Sequence, residues 1–579
     1  MKTETAQVHR VERVDDIPVL LATLQRLKVG EILDRHFPSC HRWKGQLTFG
    51  EVACVWIAFL TSRGDHRLSA VQPWVADHLH SLQSCLGKSV RPLDFQDDRL
   101  ADVLDRLAVD EPDEPWEAFQ TDLNRHGVRV YDLDPKLFRV DTTTANSYVK
   151  VLDGLGYFQF GHSKDRDDQP QIKIAMATLD PLGMPVTTFV VPGNCADDPL
   201  YVPEIKKVQQ AFGHGGKTFV TDCKGAALGT RAYLASTGDF YLTPLSQTQL
   251  SASDRLALLR PVFDGRQLLN QVYRPGEEGQ PDELVAEGFS LDVRLQADVE
   301  GQQVCWTERR WLVRSLAFAA GQHKQLERRL RTAESLLGEL NERKRGKKRL
   351  TAREMAEAAG DIVAEQRVAG MLNGQVKTAT RRRKVRAYGG NPERVEAEQE
   401  HRVELSRCEA EIDRAVQEMG WRTYATNELE LSLAGVVWGY RGQHRLEDNW
   451  ARLKGQPLGL TPLYLQDEGR IVGLVLLLSL ALRLLSVLEW TARQKLQEEG
   501  ETLKGLYPGQ PGRQAKRPTA ELLLAAFKGI SLVIMGVANQ LVAQILPLTA
   551  LQQRLLLLWE LPPDLYLRLA LHFPGPHPK

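Results

Sequence analysis

Several features that would narrow the reading of this chain are missing. Its seven cysteines in 579 residues (Cys40, Cys54, Cys85, Cys195, Cys223, Cys305 and Cys408) are odd in number and never spaced as CxxC. That leaves no basis for a disulfide framework or a structural zinc site, and it fits a reducing, cytoplasmic setting. No surplus charge of either sign exists, because 74 Lys and Arg balance 74 Asp and Glu. Any affinity for nucleic acid must therefore come from local clustering. A GxxxxGK[ST] phosphate loop is absent, so ATP dependence is not expected. The first residues, MKTETAQVHRVERVDD, are too polar and charged for a secretory signal. No internal repeat or low-complexity linker is present.

One long apolar run is there, IVGLVLLLSLALRLLSVLEW from Ile471 to Trp490. Its length is roughly that of a bilayer span. Arg483 lies near its middle, where a charge is costly in lipid, and a polar helix precedes it directly. The run is therefore expected as a buried core helix, with no membrane partner. LVIMGVANQLVAQILPL, interrupted by Asn539 and Gln540, is expected as a second core helix.

Length implies several domains. Residues 1–130 have helical apolar spacing, as in IPVLLATLQRLKVGEIL and EVACVWIAFLTSR, and are expected as a helical N-terminal domain. Between 131 and 245 the pattern turns mixed. KLFRVDTTT reads as a strand, and QIKIAMATLD and MPVTTFVVPG as a hairpin about Asp180-Pro181-Leu182-Gly183. Then PLYVPEIKKVQQAF reads as a helix, KTFVTDC as a strand, KGAALGTRAYLAS as a helix and DFYLTPL as a strand. This order fits an α/β sheet with an antiparallel edge, as in a ribonuclease-H-like fold. Residues 246–425 look like an insertion, with paired strands followed by a charged helical hairpin from about Leu316 to Met419. That hairpin would carry the basic clusters RKRGKKR (Arg343 to Arg349) and RRRKVR (Arg381 to Arg386). The sheet domain resumes over 426–495, with a helix from about Leu433 to Leu453, and 496–579 form a C-terminal helical region.

Three carboxylates stand out by placement. Asp141 lies in the first strand of the mixed region, Asp222 ends the strand KTFVTDC just before the small residues Gly225 and Ala226, and Glu447 lies on the helix after the insertion. Converging at one sheet edge, they would form a set of hard oxygen ligands suited to Mg²⁺ or Mn²⁺. Singly, each has an ordinary role: a turn or N-cap for the aspartates, a solvated helix face for the glutamate. On a continuous helix Tyr440, Gln443, Glu447 and Lys454 point in directions of about 0°, −60°, −20° and −40°, a single narrow stripe. Leu446, Trp450 and Leu453 group beside it and can dock the helix on a sheet.

The stripe, YRGQHRLEDNWARLK, resembles the Y-x2-R-x3-E-x6-K signature of DDE transposases of bacterial insertion sequences, the cut-and-paste branch. Gln443 stands where that signature has Arg, with Arg441 and Arg445 flanking it. RVDTTT, TDCKGAA and the loop GHSKDRDDQPQ extend the similarity, which spans about Phe138 to Leu488. The resemblance implies a ribonuclease-H-like catalytic core interrupted by the insertion, with Asp141, Asp222 and Glu447 holding two Mg²⁺ or Mn²⁺ ions. Tyr440, Gln443 and Lys454 would contact the terminal phosphates of the element, and Lys164 is a candidate DNA contact beside the site. Trp421 is a candidate for stacking near a flipped base, with a core or strand position as its ordinary alternative. The implied partners are double-stranded DNA, as element ends and target, and a second copy of the chain in a synaptic homodimer associated with the nucleoid. The two basic clusters are open between DNA phosphates and a solvated or dimer-contacting surface. Two rival classes remain: a nuclease of the same fold that cuts without joining, and a non-catalytic DNA-binding or membrane-associated helical protein.

Overall fold

The computed structural model describes residues 7–571, apart from 40–42, 44, 110–114, 150, 152–155, 162–167, 277–279, 343–349, 387–388, 390–391, 393, 464 and 538–539. Strand β1 (Gln7–Arg13) leads into helices α1 (Ile17–Arg26), α2 (Val29–His36), α3 (Phe49–Arg63), α4 (Leu68–Asp77), α5 (Leu79–Leu86), α6 (Asp97–Leu107) and α7 (Pro115–Val130). Then come β2 (Leu137–Asn146), β3 (Gln171–Leu179), β4 (Met184–Pro192), α8 (Tyr201–Phe212), β5 (Thr218–Thr221), α9 (Leu228–Ser236) and β6 (Phe240–Pro244). The middle of the chain holds α10 (Ala252–Phe263), β7 (Asn270–Arg274), β8 (Glu283–Val299), β9 (Gln302–Ser315), α11 (Leu316–Leu340), α12 (Ala352–Glu365), β10 (Leu372–Val385), β11 (Arg394–Arg407), α13 (Glu409–Gln417) and β12 (Trp421–Thr426). It ends with α14 (Leu433–Arg441), α15 (His444–Lys454), α16 (Glu468–Glu499), α17 (Ala520–Ala525), β13 (Ser531–Val537), β14 (Gln540–Ile545), α18 (Ala550–Leu558) and α19 (Arg568–Leu571).

Two compact units result. The first gathers the chain up to Thr243, the segment Leu295–Trp306 and everything from Gly439 onward. Its sheet runs β4-β3-β2-β5-β6. The hairpin strands β3 and β4 are antiparallel to their neighbours, whereas β5 and β6 add in parallel with β2. Alternate residues of β2 serve opposite faces, as a strand's two-residue period requires. Phe138 stacks on Phe212 of α8 and on Phe219 of β5. Ala145, with Ile172, Ile174 and Met176 of β3, joins the core shared with α15, α16 and the N-terminal helices. Edge strand β4 is sealed by α7, where Trp116 Nε1 and Asn124 Nδ2 donate to the carbonyls of Thr188 and Val186 at 3.0 and 2.7 Å, and Gln120 accepts from the Thr188 amide at 2.8 Å. These three residues are spaced i, i+4, i+8 on one face of the helix, and they satisfy an edge that would otherwise offer itself to another strand.

The apolar run is the axis of this unit. Helix α16 is buried from Ile471 to Leu488, against α1, α3, α6, α17, α18 and β4. A methyl group on Gly473 would lie 2.2 Å from the Leu104 carbonyl, so the glycine is what lets α6 approach this closely. Arg483, 3% exposed, donates to Asn124 Oδ1 at 2.6 Å, and burial pulls its pKa down to about 9. The expected second core helix near the C-terminus is instead the hairpin β13–β14. Leu532 to Ile545 pair as antiparallel strands, and β1 adds beside β13. The β-branched residues Val533, Ile534, Val542 and Ile545 favour extended chain over helix.

The second unit comprises Pro244–Arg294 and Thr307–Trp438. Within it β9 pairs with β12 and β7 with β8, all antiparallel. The charged helical hairpin expected over Leu316–Met419 is only half realised. α11 and α12 are helices, but the second half is a β-ribbon, β10–β11, in which Leu372 to Val385 pair one-for-one with Arg407 to Arg394. Val376, Thr378, Thr380 and Val403 supply β-branched side chains at two-residue spacing, which outweighs the Glu, Lys and Arg content that suggested helix.

Glu204 of α8 is a buried charge with a testable cost. Fully enclosed, its carboxyl accepts from Thr187 of β4, and burial lifts its pKa from 4.5 to about 7. An unfolded chain ionises this group near pH 4.5 while the folded chain resists until about pH 7, so stability falls across that window and is flat above it. Glu204→Gln is therefore expected to raise the unfolding free energy at pH 8 by up to about 3 kcal/mol, with no gain at pH 4. Urea titrations at both pH values measure it, and an equal effect at the two would reject the titration.

Candidate active site

The parallel pairing of β2 with β5 ends where Val140 lies beside Thr221, so the next residue along each strand is Asp141 and Asp222. Strand spacing puts their backbones about 5 Å apart. Both are half-buried. This is also where the connectivity changes direction, with β3 and β4 built outward on one side of β2 and β5 and β6 on the other. In open α/β sheets ligands bind at such switch points.

Both carboxylates are held. Asp222 Oδ1 accepts the hydroxyl of Tyr201 at 2.5 Å and the amides of Lys224 and Gly225 at 2.9 and 3.3 Å. Asp222 is thus a turn residue and a site residue at once. A methyl group on Gly225 would sit 2.5 Å from Thr221 and 2.9 Å from the Tyr201 ring, which is why the turn needs glycine. Asp141 Oδ2 accepts from Trp450 Nε1 at 3.3 Å. Tyr201, the first residue of α8, is 1% exposed, and burial together with the charges of Asp222 and Asp141 raises its pKa far above the ordinary phenol value. Nearby, Asp197 accepts from Thr142 at 3.0 Å and pairs with Lys173 at 2.7 Å.

Glu447 arrives on a different footing. The helix expected from Leu433 to Leu453 is broken into α14 and α15 at Gly442 and Gln443. The single-helix projection that put Tyr440, Gln443, Glu447 and Lys454 on one stripe does not carry across this break. Beneath the elbow lies a buried cluster. The Arg139 guanidinium, 1% exposed, donates Nε and Nη2 to Asp180 Oδ1 and Oδ2 at 2.9 and 2.7 Å, and Arg445 Nη1 reaches Asp180 Oδ2 at 2.8 Å. A methyl group on Gly442 would lie 2.1 Å from Arg139 Nη2, so only glycine fits at the bend. Past it, Leu446, Trp450 and Leu453 are buried as the docking side, Glu447 is exposed and Lys454 half-buried. Asn449 Nδ2 donates to the Gly183 carbonyl at 2.6 Å and ties α15 to the β3–β4 turn.

Among the described residues no three His, Cys, Asp or Glu side chains are gathered as a metal-holding group. The two aspartates are register neighbours; Glu447 is not gathered with them as a third ligand. Their hard oxygens suit a divalent ion of the Mg²⁺ class as a two-carboxylate seat. Tyr440 is half-buried at the end of α14. Gln443 is 9% exposed and its Oε1 has no hydrogen-bond partner, so this position is packed interior and not a phosphate-facing surface. Trp421, expected as a candidate base-stacking residue, is instead a core side chain of the second unit. It is 6% exposed, donates to the Gln417 carbonyl at 3.1 Å and meets Phe289 edge-on. Lys164 and the cluster Arg343 to Arg349 lie outside the described residues. Tyr201 and the Arg139–Asp180 ion pair were not singled out from sequence, and Trp450 only as a residue docking the helix. The one signal for them was proximity: Arg139 stands two residues before Asp141, and Asp180 opens the recognised hairpin turn.

No protein-family profile matches this chain, and no curated protein sequence does. Among solved structures, a cryo-EM piggyBac transposase synaptic complex with hairpin DNA aligns over 50% of this chain and 57% of that one, with 10% identity and a TM-score of 0.23. The aligned part therefore spans little more than half of that protein, and a likeness this slight carries no conclusion about the present chain.

The cluster under the elbow makes an asymmetric prediction. Arg139→Met leaves Asp180 buried with a single, more exposed partner and is expected to cost about 3–5 kcal/mol. Arg445→Met, whose side chain is 31% exposed, is expected to cost under about 1.5 kcal/mol. Gln443→Arg, which would put a charge into the packed interior, is expected to lower stability. Urea unfolding of the three variants tests the order, and equal costs at Arg139 and Arg445 would refute the buried anchor.

Proposed function

We propose that the first unit holds the catalytic core of a DDE transposase of the bacterial insertion-sequence type, which cleaves DNA phosphodiesters and joins the 3′-OH ends to target DNA. The observation that carries this reading is the pair Asp141 and Asp222, side by side at the switch point of a mixed sheet and each oriented by hydrogen bonds. The antiparallel edge beside parallel strands supports a ribonuclease-H-like assignment for this sheet. Two adjacent carboxylates repel each other, and a phosphodiester adds more negative charge, so a cation facing both is what the arrangement calls for.

Asp141 and Asp222 would hold Mg²⁺ or Mn²⁺, with Glu447 completing the set from the first turn of α15. Bound there, the ions supply Lewis acidity to the phosphate oxygens and a more acidic water. The chain's own contribution is positioning. Tyr201 and the Lys224 and Gly225 amides fix the Asp222 carboxylate, Trp450 steadies Asp141, and the elbow places α15. Groups held in advance need no reorganisation as charge develops in the transition state. Water would attack the phosphodiester first, and the released 3′-OH would attack target DNA next. Tyr440 and Lys454 are assigned to terminal phosphates, double-stranded DNA is the substrate, and a synaptic homodimer at the nucleoid is the working form. The cut-without-joining nuclease is distinguished by product: cleaved ends with no strand-transfer species.

Asp141→Asn, Asp222→Asn and Glu447→Gln are each expected to lower cleavage by roughly three orders of magnitude or more, without additivity in combination. Binding of the same labelled DNA should persist, because shape is conserved and repulsion is relieved. Wild-type cleavage should need Mg²⁺ or Mn²⁺ and cease with chelator. Cleavage assays run beside gel shifts decide the matter: retained cutting by any one variant removes that residue from the site, and retained cutting by both aspartate variants ends the reading.

A further inference from the structure

The helical part of the second unit encloses a cleft that its packing does not use. Helix α11 turns Leu326, Leu330 and Leu337 into a small core shared with Met355 and Ala359 of α12 and with Val368 just beyond it. Beside that stripe stand Gln322, Gln325, Arg328 and Arg329, which on an α-helix share an arc of about 120°. Between this arc, the end of α12 and Met419 lies a cleft of about 530 Å³. Gln322 Oε1 accepts the Gly420 amide at 2.8 Å, which ties the Met419–Gly420 turn to α11 and fixes that wall.

Three guanidiniums and one carboxylate line the cleft: Arg328, Arg329, Arg367 and Glu365. Arg329 is half-buried, as its place next to the core stripe requires, and its enclosed Nε has no hydrogen-bond partner. Among the described residues none of the three guanidiniums is ion-paired. Elsewhere in this unit cations do find acids, as Arg407 finds Glu327 and Glu334 and Arg353 finds Glu357. Like charges gathered in one cleft disfavour one another, so the arrangement calls for an anion. Arg367 also stands there against its backbone preference. It follows the α12 C-cap with φ 53°, the left-handed position that helix ends usually give to glycine. Its amide donates to the Ala364 carbonyl at 2.9 Å and that of Val368 to Val363 at 3.0 Å, so the turn is a closed cap. Any side chain in this conformation carries a steric cost that glycine avoids. What the arginine adds is its guanidinium in the cleft.

We propose that this cleft binds a phosphate monoester, a phosphate group carried on a larger molecule. Three cations against one carboxylate leave two positive charges, which match the monoester dianion and exceed the single charge of a carboxylate or a phosphodiester. Guanidiniums take phosphate oxygens through paired, charge-assisted hydrogen bonds. The cleft is much larger than a bare phosphate ion, so it has room for the group that carries it. A free nucleotide and the 5′-phosphate of a DNA end present this same chemistry. The site belongs wholly to the second unit and does not rest on the catalytic reading above.

Calorimetric titration of the full chain, in chelator and at fixed ionic strength, tests it with inorganic phosphate and adenosine monophosphate. Both are expected to bind wild type. Arg328→Gln, Arg329→Gln and Arg367→Gln should each weaken binding by about tenfold or more, the usual weight of a hydrogen bond to a charged group. Arg353→Gln, on α12 but outside the cleft, should change affinity by less than about twofold. Arg367→Gly separates a ligand-binding arginine from a structural one. It should lose affinity as Arg367→Gln does, while its thermal unfolding midpoint holds or rises because the cap is relieved. Absence of binding by wild type, full affinity in Arg367→Gly, or equal losses in Arg353→Gln and Arg328→Gln overturns the proposal. Competition with inorganic phosphate then identifies the source. Displacement by a 5′-phosphorylated duplex, and not by the same duplex without the phosphate, assigns the group to a DNA end. Displacement by adenosine monophosphate alone assigns it to a free nucleotide, and displacement by neither overturns the proposal.

Discussion

The bidentate ion pair between Arg139 and Asp180, shut away from water, is the contact around which the candidate site is arranged. A buried guanidinium and carboxylate tolerate no loose geometry, because each orphaned charge would cost several kcal/mol. Arg139 is therefore fixed on β2, two residues before Asp141, and Asp180 is fixed at the β3–β4 turn. The same carboxylate recruits Arg445, the guanidinium excludes any side chain at Gly442, and the turn's Gly183 carbonyl receives Asn449. Helix α15 thus starts where the buried charges permit and lies where its Trp450 meets Asp141. The geometry of the candidate site thus rests on an electrostatic anchor beneath it.

Much of this is legible in the sequence. The strand–hairpin–helix–strand–helix–strand order from β2 to β6 follows from β-branched alternation and from turn chemistry at Asp180 to Gly183, both local signals. So do the positions of Asp141 within the first strand and Asp222 at the end of the next parallel one. The docking side of α15, with Leu446, Trp450 and Leu453 buried, follows from helical spacing alone. The bend before it does not, because Gly442 is explained by a guanidinium three hundred residues earlier in the chain. Gln443 and Trp421 show the same limit: each could serve a surface or a core, and only the packing around it decides. In the β10–β11 ribbon, Glu, Lys and Arg suggested helix, whereas β-branched residues at two-residue spacing, with Lys377 paired to Glu404 across the strands, favour extended chain.

Electrostatics sorts the chain although its net charge is zero. Acidic groups concentrate about Tyr201, where Asp141, Asp222 and Asp197 all act on one buried phenol. In the second unit Arg407 is cancelled in place by Glu327 and Glu334.

The pairing of β1 with β13 has a consequence for how the polypeptide is made. Val11 finds its register partner at Val533, over five hundred residues further on. The ribosome delivers that partner only after almost the entire chain, the second unit included, has emerged. At synthesis rates of ~5–20 residues per second, β1 waits on the order of half a minute or longer as an unpaired edge. The first unit therefore closes its β1 edge only once β13 has emerged, and a chain terminated before β13 leaves β1 without this partner.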